Sequence, residues 1–570
     1  MRHQHLKRGV SACLALVLFA TTLFASGFTT TAHAQTREWD LSLPSLAEAF
    51  EDYFLLGNIY PGGGHTIPGY TAANPPMNPD TMEMFIHHYN AITAENWHKP
   101  QLIAPGNARP ERFNFNHVDR IVDFAVENDI ALVGHALVWH SQTPNWMFRL
   151  PGNVPLTRQE ARDNMEFYIR TLSEHFASRN MLGAVYSWDV ANEVIASGVG
   201  SFSGDWRNHI RPASGNPWLE AYMNNPTNLP GHPTDYIYDA FIFARRYFPY
   251  SILYYNDYNE QQPGKREAIA QMVEYFNERW AHDFENNPEA VPQGQSYTGR
   301  LLIEGIGMQS HYHALGNWTG WGSTDPQASN VRLSIERFVQ TGTRVSITEL
   351  DITLGAWGTE AIPSPTAAQW RTQAEFFERV FGYYLEFADY IPRVSLWGLA
   401  DSHSWRRNGH PLLFDAYYRP KPAFYAIHQA LANFEAANGP RVVYAPSIDT
   451  ASLPSAMPNQ RYTTMLEATR NNWAPILWTV YSGSLPSGLV LHSRTGVIEG
   501  TPTSEGVFNF AIAIENSGGR TVRDFTLVVG DVPVSDYIPS NDIDEVVDAP
   551  VLPVTPAEPP RNVVPALPTN

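Results

Sequence analysis

The sequence predicts an α/β fold, a closed (β/α)8 barrel, joined to a small C-terminal all-β sandwich. Three observations carry this expectation. Between about residues 50 and 430, short β-rich apolar runs alternate with stretches of helical periodicity, the pattern of parallel βαβ units. Most of those runs end, in the C-terminal direction, in polar residues able to do chemistry. After about Asn438 the composition turns to Gly, Pro, Ser, Thr and alternating β-formers.

The strand candidates are Phe54–Ile59, Ala91–Ala94, Leu132–Trp139, Val185–Val190, Ile252–Asn256, Ile306–His311, Val345–Leu350 and Val394–Leu399. Between them, Val118, Ile121, Val122 and Ala125 share one helical face, as do Met165, Ile169, Leu172 and Phe176. Eight strands favour closure into a barrel. A doubly wound sheet has no need of so many, and it usually carries a Gly-rich nucleotide turn after the first strand. Gly62-Gly63-Gly64 follows the first run without the G-x-G-x-x-G spacing and is expected to be a loop.

Seven runs finish in chemistry: Glu95-Asn96, His135 with Trp139, Asn192-Glu193, Asn256-Asp257, Gln309 with His311, Glu349 with Asp351, and Trp397 with Asp401. A barrel brings every strand C-terminus to one face, so residues scattered over three hundred positions converge there.

The chain has 570 residues, too many for one ordinary domain and more than a large barrel uses. Apolar residues at 43% and aromatics at 13% suffice for a large core plus binding surface, while charged residues stand at only 17%. Arg2, Lys7 and Arg8 precede an apolar run from about Val10 to Phe28, and Ala32-His33-Ala34 stands before Gln35. This is the pattern of a signal peptide over 1–34, expected to be cut after Ala34 so that the mature form is secreted. The apolar part is short for a membrane anchor, and Cys13 stands near the start of the apolar run where a lipoprotein box would end it. Cys13 is the only cysteine, so no disulfide is expected after cleavage. Removing the segment takes away three positive charges and no negative ones, moving the formal net charge from −19 to −22. Such a balance disfavours nucleic acid and a membrane partner and suits a neutral polymer.

The barrel is expected over 35–438 and the sandwich over 439–530. In the latter, Leu485-Pro486-Ser487-Gly488-Leu489, Thr495-Gly496-Val497-Ile498-Glu499-Gly500-Thr501-Pro502 and Gly506-Val507-Phe508-Asn509-Phe510 read as short strands joined by tight turns. They resemble the immunoglobulin-like modules, of the bacterial cadherin-like kind, that recur in secreted enzymes. Residues 531–570 are acidic, with nine prolines and no periodicity, and are expected to form a tail or linker.

Glycoside cleavage needs two carboxyl groups flanking the bond, one to protonate the leaving oxygen and one to attack or to activate water. Glu193, in Ser187-Trp188-Asp189-Val190-Ala191-Asn192-Glu193, and Glu349, in Val345-Ser346-Ile347-Thr348-Glu349-Leu350-Asp351, both end apolar runs. Most glutamates are solvated surface charges, and strand-end placement with apolar flanks argues against that for these two.

From about residue 40 to 432 the chain resembles glycoside hydrolase family 10, whose TIM barrels are chiefly endo-xylanases. The matches, in order, are Glu95-Asn96-x-x-Lys99, His135-x-x-x-Trp139-His140-Ser141-Gln142-Thr143-Pro144, Trp188-Asp189-x-x-Asn192-Glu193, Gly307-x-Gln309-x-His311, Thr348-Glu349-Leu350-Asp351 and Trp397-Gly398-x-x-Asp401-x-x-x-Trp405. The resemblance implies a retaining endo-β-1,4-xylanase with Glu193 as acid/base and Glu349 as nucleophile, the carboxyl groups about 5 to 5.5 Å apart. At that spacing and an effective dielectric of about 20, two carboxylates repel by about 3 kcal/mol, which keeps Glu193 protonated above the usual Glu range. Esterification of Glu349 removes the repulsion and lets Glu193 become the base.

By the same resemblance Asn192 meets the sugar 2-hydroxyl, His311 holds the nucleophile with Asp351 orienting its ring, and Gln309 touches the same sugar. Trp139, Trp397 and Trp405 offer flat faces to pyranose rings, and Glu95, Asn96, Lys99 and His135 bind hydroxyls on the non-reducing side. Core filling is the other use of each Trp. His98 stands where the family usually has Met, and Pro100 where an aromatic is frequent. The loops around Tyr60–Asn78 and Asn317–Pro326 are long, and Trp318 and Trp321 either extend the cleft or pack the loop.

His311-x-His313, with His135 and His140, invites a metal, but the usual H-x-H of metal-dependent barrels follows the first strand and this one follows the sixth. No metal and no other cofactor is expected. The expected partner is xylan or xylo-oligosaccharide, acted on by a monomer. A hexose-based β-glycan, excluded only by crowding, and a non-catalytic polysaccharide binder are the competing functions. Trp473 and Trp478 are either a binding strip of the sandwich or its core.

Overall fold

The computed structural model describes residues 40–59, 79–286, 300–314, 327–355, 361–470 and 472–531. The signal-peptide segment, the loops Tyr60–Asn78 and Asn317–Pro326 with Trp318 and Trp321, and nearly all of the Pro-rich tail lie outside the described residues.

Eight parallel strands close on themselves. They are β1 (Leu55–Ile59), β2 (Ala91–Thr93), β3 (Ala131–Trp139), β4 (Val185–Asn192), β5 (Ile252–Asp257), β6 (Gly305–Met308), β7 (Arg344–Thr353) and β8 (Arg393–Leu396). Each pairs with the next, and β8 returns to β1 with Leu55 opposite Arg393. A long helix follows each strand: α1 (Pro79–His88), α2 (Asn116–Glu127), α3 (Arg158–Ser178), α4 (Asp235–Tyr247), α5 (Pro263–Asn286), α6 (Gln327–Val339), α7 (Ala367–Glu386) and α8 (Pro422–Asn438), with short helices at Pro100–Ile103 and Pro217–Met223 besides. The strands are buried almost throughout, which is why they read as continuous apolar runs without alternation.

Local sequence accounts for the helix starts and inner faces. Thr157 and Glu160 form a reciprocal capping box at the start of α3, and Thr366 and Gln369 form another at α7, each contributing about 1 kcal/mol. Val118, Ile121, Val122 and Ala125 of α2, and Met165, Ile169, Leu172 and Phe176 of α3, all face the core. Trp188 of β4 is fully buried, and a Cβ on Gly134 of the neighbouring strand would fall 2.2 Å from its ring. A glycine at 134 is therefore what admits the indole.

Two strands stop three residues short of the sequence expectation, while β4 and β7 run two and three residues past it, to Asn192 and Thr353. The sixth run breaks after Met308, because Ser310 turns to φ 60°, and resumes as a short strand His311–His313 paired with Asp351–Thr353 of β7. The eighth ends at Leu396 because Gly398, at φ 145°, leaves the sheet.

The C-terminal strands form two antiparallel three-stranded sheets and a short antiparallel pair, Ser447–Ile448 with Ala468–Thr469. Tyr462–Met465, Val497–Gly500 and Leu489–Leu491 make one, and Leu477–Gly483, Gly506–Asn516 and Gly519–Val529 the other. Ile498, Ile512, Ile514, Leu527 and Trp478 fill the space between them, a core separate from that of the barrel.

Candidate active site

The strands deliver their terminal side chains to one end of the barrel. At the end of β4, Asn192 pairs across to Asn256 of β5, and the next residue, Glu193, turns to φ 56° with its N–H donating to Asn256 O at 2.9 Å. That left-handed turn ends the strand at the carboxylate. Glu349 lies within β7 and is buried.

Asn256 joins the two halves of the site. Its Nδ2 donates to Glu349 Oε1 at 2.8 Å and to Asn192 Oδ1 at 3.1 Å, and its Oδ1 accepts from Thr348 Oγ1 at 2.7 Å. Gln309 Nε2 continues the line, donating to Asn192 Oδ1 at 3.2 Å and to Glu193 Oε1 at 3.1 Å. Glu193, Gln309, Asn192, Asn256 and Glu349 thus form one connected network drawn from β4, β5, the segment after β6, and β7. Glycine makes the crossing possible. A Cβ on Gly307 would stand 2.4 Å from Asn256 Oδ1, in the path of the amide.

His311 serves Glu349 from the other side, with Nε2 3.3 Å from Oε2 and Nδ1 3.0 Å from Asp351 Oδ1. Asp351 is itself held by the Arg406 guanidinium and by Trp405 Nε1 at 3.1 Å. Burial disfavours the imidazolium, but the adjacent Asp351 and Glu349 outweigh it and push the His311 pKa up to about 10. Burial likewise favours the neutral form of Glu349, yet the His311 hydrogen bond, the imidazole charges and Lys99 hold its pKa below the usual Glu range.

Glu193 moves the opposite way. Burial raises its pKa first, the negative charge of Asp257 second, and Glu349 contributes after these, against the lowering hydrogen bond from Gln309. Elevation was expected from Glu349 alone, and the structure assigns more of it to burial and to Asp257. The sequence could not weigh Asp257, which is fully buried beside Lys265 Nζ at 2.7 Å. Two carboxyl groups in one network, one biased toward the acid and the other toward the anion, are the arrangement that divides acid and nucleophile duties.

The remaining predicted residues gather around these. His135 Nδ1 lies 2.9 Å from Asp189 Oδ2 and 3.9 Å from Glu349 Oε1, its ring edge-on to Trp397. Lys99 Nζ donates to Asn96 Oδ1 at 2.8 Å and to Gln142 Oε1 at 2.9 Å, and stands 4.8 Å over the Trp139 ring. Glu95 and Asn96 are nearly buried beyond the end of β2. Trp405 is 39% exposed while Trp397 is 6% exposed, so the first offers a free face and the second a mostly covered one.

Sequence reasoning assigned no role to Asn256, Asp257, Asp189, Gln142 or Arg406. The first two were visible as a strand ending and Asp189 as part of a motif, but Arg406 gave no signal beyond its position next to Trp405. His140 Nε2 and Arg211 Nη2 each lie 3.9 Å from Glu193 Oε2, and Arg211 comes from a loop with no motif of its own. His313 binds Thr353 Oγ1 at 2.7 Å and Gly355 O at 3.0 Å, a structural use. Among the described residues no group of three or more His, Cys, Asp or Glu is arranged to hold a metal ion.

Comparison with known proteins agrees in extent with this architecture. Residues 57–430 match the family described as Glycosyl hydrolase family 10, and residues 442–530 match an Ig domain family. An endo-1,4-beta-xylanase of Geobacillus stearothermophilus is 30% identical over 401 residues, covering 68% of this chain and 98% of that protein. The crystal structure of a bacterial Ig-like domain containing xylanase from termite gut is 32% identical with a TM-score of 0.56, covering 72% of this chain and 84% of the other. A Thermoanaerobacterium saccharolyticum xylanase, solved as a mutant with xylotetraose, is 27% identical with a TM-score of 0.52, over 68% of this chain and all of its own.

Proposed function

Because the chain belongs to glycosyl hydrolase family 10, we propose that it is an endo-1,4-β-xylanase that cleaves internal xylosidic bonds of xylan with retention of configuration. The observation that carries this is the opposite bias of Glu193 and Glu349 within one hydrogen-bonded network. Glu349, held as the anion by His311 and Asn256, attacks the anomeric carbon while Glu193 protonates the departing oxygen. A glycosyl ester forms on Glu349, its negative charge is lost, and Glu193 then takes a proton from the water that hydrolyses the ester.

Asn192 and Gln309 lie between the two carboxyl groups and are proposed to bind the sugar in transit, Asn192 at the 2-hydroxyl. His135, Glu95, Asn96 and Lys99 are proposed to bind hydroxyls on the non-reducing side, with Trp139, Trp397 and Trp405 as aromatic platforms and Asp351 orienting His311. Secretion after loss of residues 1–34 is part of the proposal, supported by the n-region, apolar run and small-residue site of the N-terminus, and action as a monomer completes it. Reducing-sugar release from xylan, cellulose and mixed-linkage glucan tests the substrate: xylan should be preferred. Equal or faster release from cellulose would transfer the assignment to a hexose polymer.

A further inference from the structure

The sandwich meets the barrel at the end opposite the candidate site, where the chain turns from helices into strands. The turn between α3 and β4 is held most closely. Glu499, fully buried, accepts from Gly183 N–H at 2.6 Å through Oε1 and from Arg461 Nη2 at 2.5 Å through Oε2, with His492 Nε2 2.9 Å from Oε1. Thr495 Oγ1 donates to Gly183 O at 2.6 Å, and the same Arg461 reaches Ala177 O in the last turn of α3. Position 183 can carry no side chain here, since a Cβ would fall 2.4 Å from Val497 Cγ1.

The neighbouring turns are held as well. Arg494 Nε donates to Asp129 O at 2.5 Å just before β3, and Thr463 Oγ1 to Tyr250 OH at 3.0 Å just before β5. At the start of β7, Arg344 lies 4.4 Å from the Trp473 ring, which Arg470 also faces at 4.4 Å. Trp478 is buried in the sandwich core. Neither tryptophan is therefore spare for a sugar: one fills the core and the other packs the seam.

We propose that the sandwich is a brace for the barrel, clamping the turns that feed β3, β4 and β5 and so steadying the strands that carry His135, Asn192 and Asn256 and lead to Glu193. A charged residue with no solvent exposure, bound to a backbone N–H of another domain, is a specific docking contact, because removing its partners leaves a buried charge unsatisfied. The clamp grips the starts of the strands whose far ends carry the acid/base and the amide that links it to Glu349.

The test uses full-length protein with two variants, Gly183→Val at the barrel side and Arg461→Ala combined with Thr495→Val at the sandwich side. Differential scanning calorimetry and amide hydrogen exchange are read on both. The melting temperature of the barrel should fall by about 2 to 5 °C, and protection of residues 177–187 by roughly tenfold or more, with helix α1 unaffected. Cleavage of a short xylo-oligosaccharide at 25 °C should stay within about twofold, since no group that meets sugar is altered. Unchanged exchange at 177–187 in both variants would overturn the proposal. So would a wild-type protein whose sandwich melts as a separate transition, with the barrel midpoint the same in wild type and variants.

Discussion

Replacing Asn256 with Ala should move the acid limb of the kcat/KM profile upward by about one to two pH units. The magnitude follows from the contact. Asn256 Nδ2 donates to Glu349 Oε1 at 2.8 Å, both side chains being buried, and a hydrogen bond to a charged group contributes about 1.5–3 kcal/mol. Each pH unit corresponds to about 1.36 kcal/mol. The sign follows from the chemistry: Glu349 must be ionised to attack, and its pKa is held below the usual range by donors including His311. Losing the amide disfavours the anion, so protonation, and with it loss of activity, sets in at higher pH. Asn256→Asp, nearly identical in shape, places a like charge beside Glu349 and should move the limb further in the same direction. The assay is kcat/KM for an aryl xylobioside across the acid range, with circular dichroism confirming the fold of each variant. An acid limb unmoved in both variants would refute the claim that this amide sustains the nucleophile as an anion.

The general acid has its own signatures. Glu193→Ala should lower xylan hydrolysis by roughly 100- to 10,000-fold, while an aryl glycoside whose leaving group needs no proton still forms the glycosyl-enzyme and azide restores turnover as a β-xylosyl azide. Absence of azide rescue together with near-normal xylan cleavage would remove Glu193 from the role. Because burial and then Asp257 raise the Glu193 pKa, activity should be lost on the basic side as Glu193 deprotonates, and Asp257→Asn should bring that loss to lower pH. His311, with a pKa near 10, stays protonated past neutrality. A basic limb indifferent to Asp257→Asn would contradict the assignment.

The barrel was legible because its signals are local. Eight apolar runs, seven of them with polar endings, need only their length and the helical stretches between them to be found, and the inner faces of α2 and α3 follow from the 3.6-residue period. Boundaries were less accessible where a single backbone angle decides them, as at Ser310 and Gly398. Glu193 and Glu349 could be singled out by strand-end position and by motif. The elevation of Glu193 was expected from Glu349, but its larger causes, burial and Asp257, could not be weighed, since closure of the barrel sets them and spacing along the chain does not. The placement of the sandwich was hidden for the same reason. Nothing in the sequence marks Glu499 or Arg461 as a contact to the barrel, and only the fold turns the first into a buried ligand for Gly183 N–H.

Retention of configuration depends on Glu349 attacking the sugar itself instead of activating water. Proton NMR of xylo-oligosaccharide cleavage, followed from the first turnovers, reads this from the anomeric signal of the new reducing end. The β-anomer should accumulate first and relax to the equilibrium mixture only by mutarotation. Initial release of the α-anomer would mean single displacement, and the roles given to both glutamates would fall.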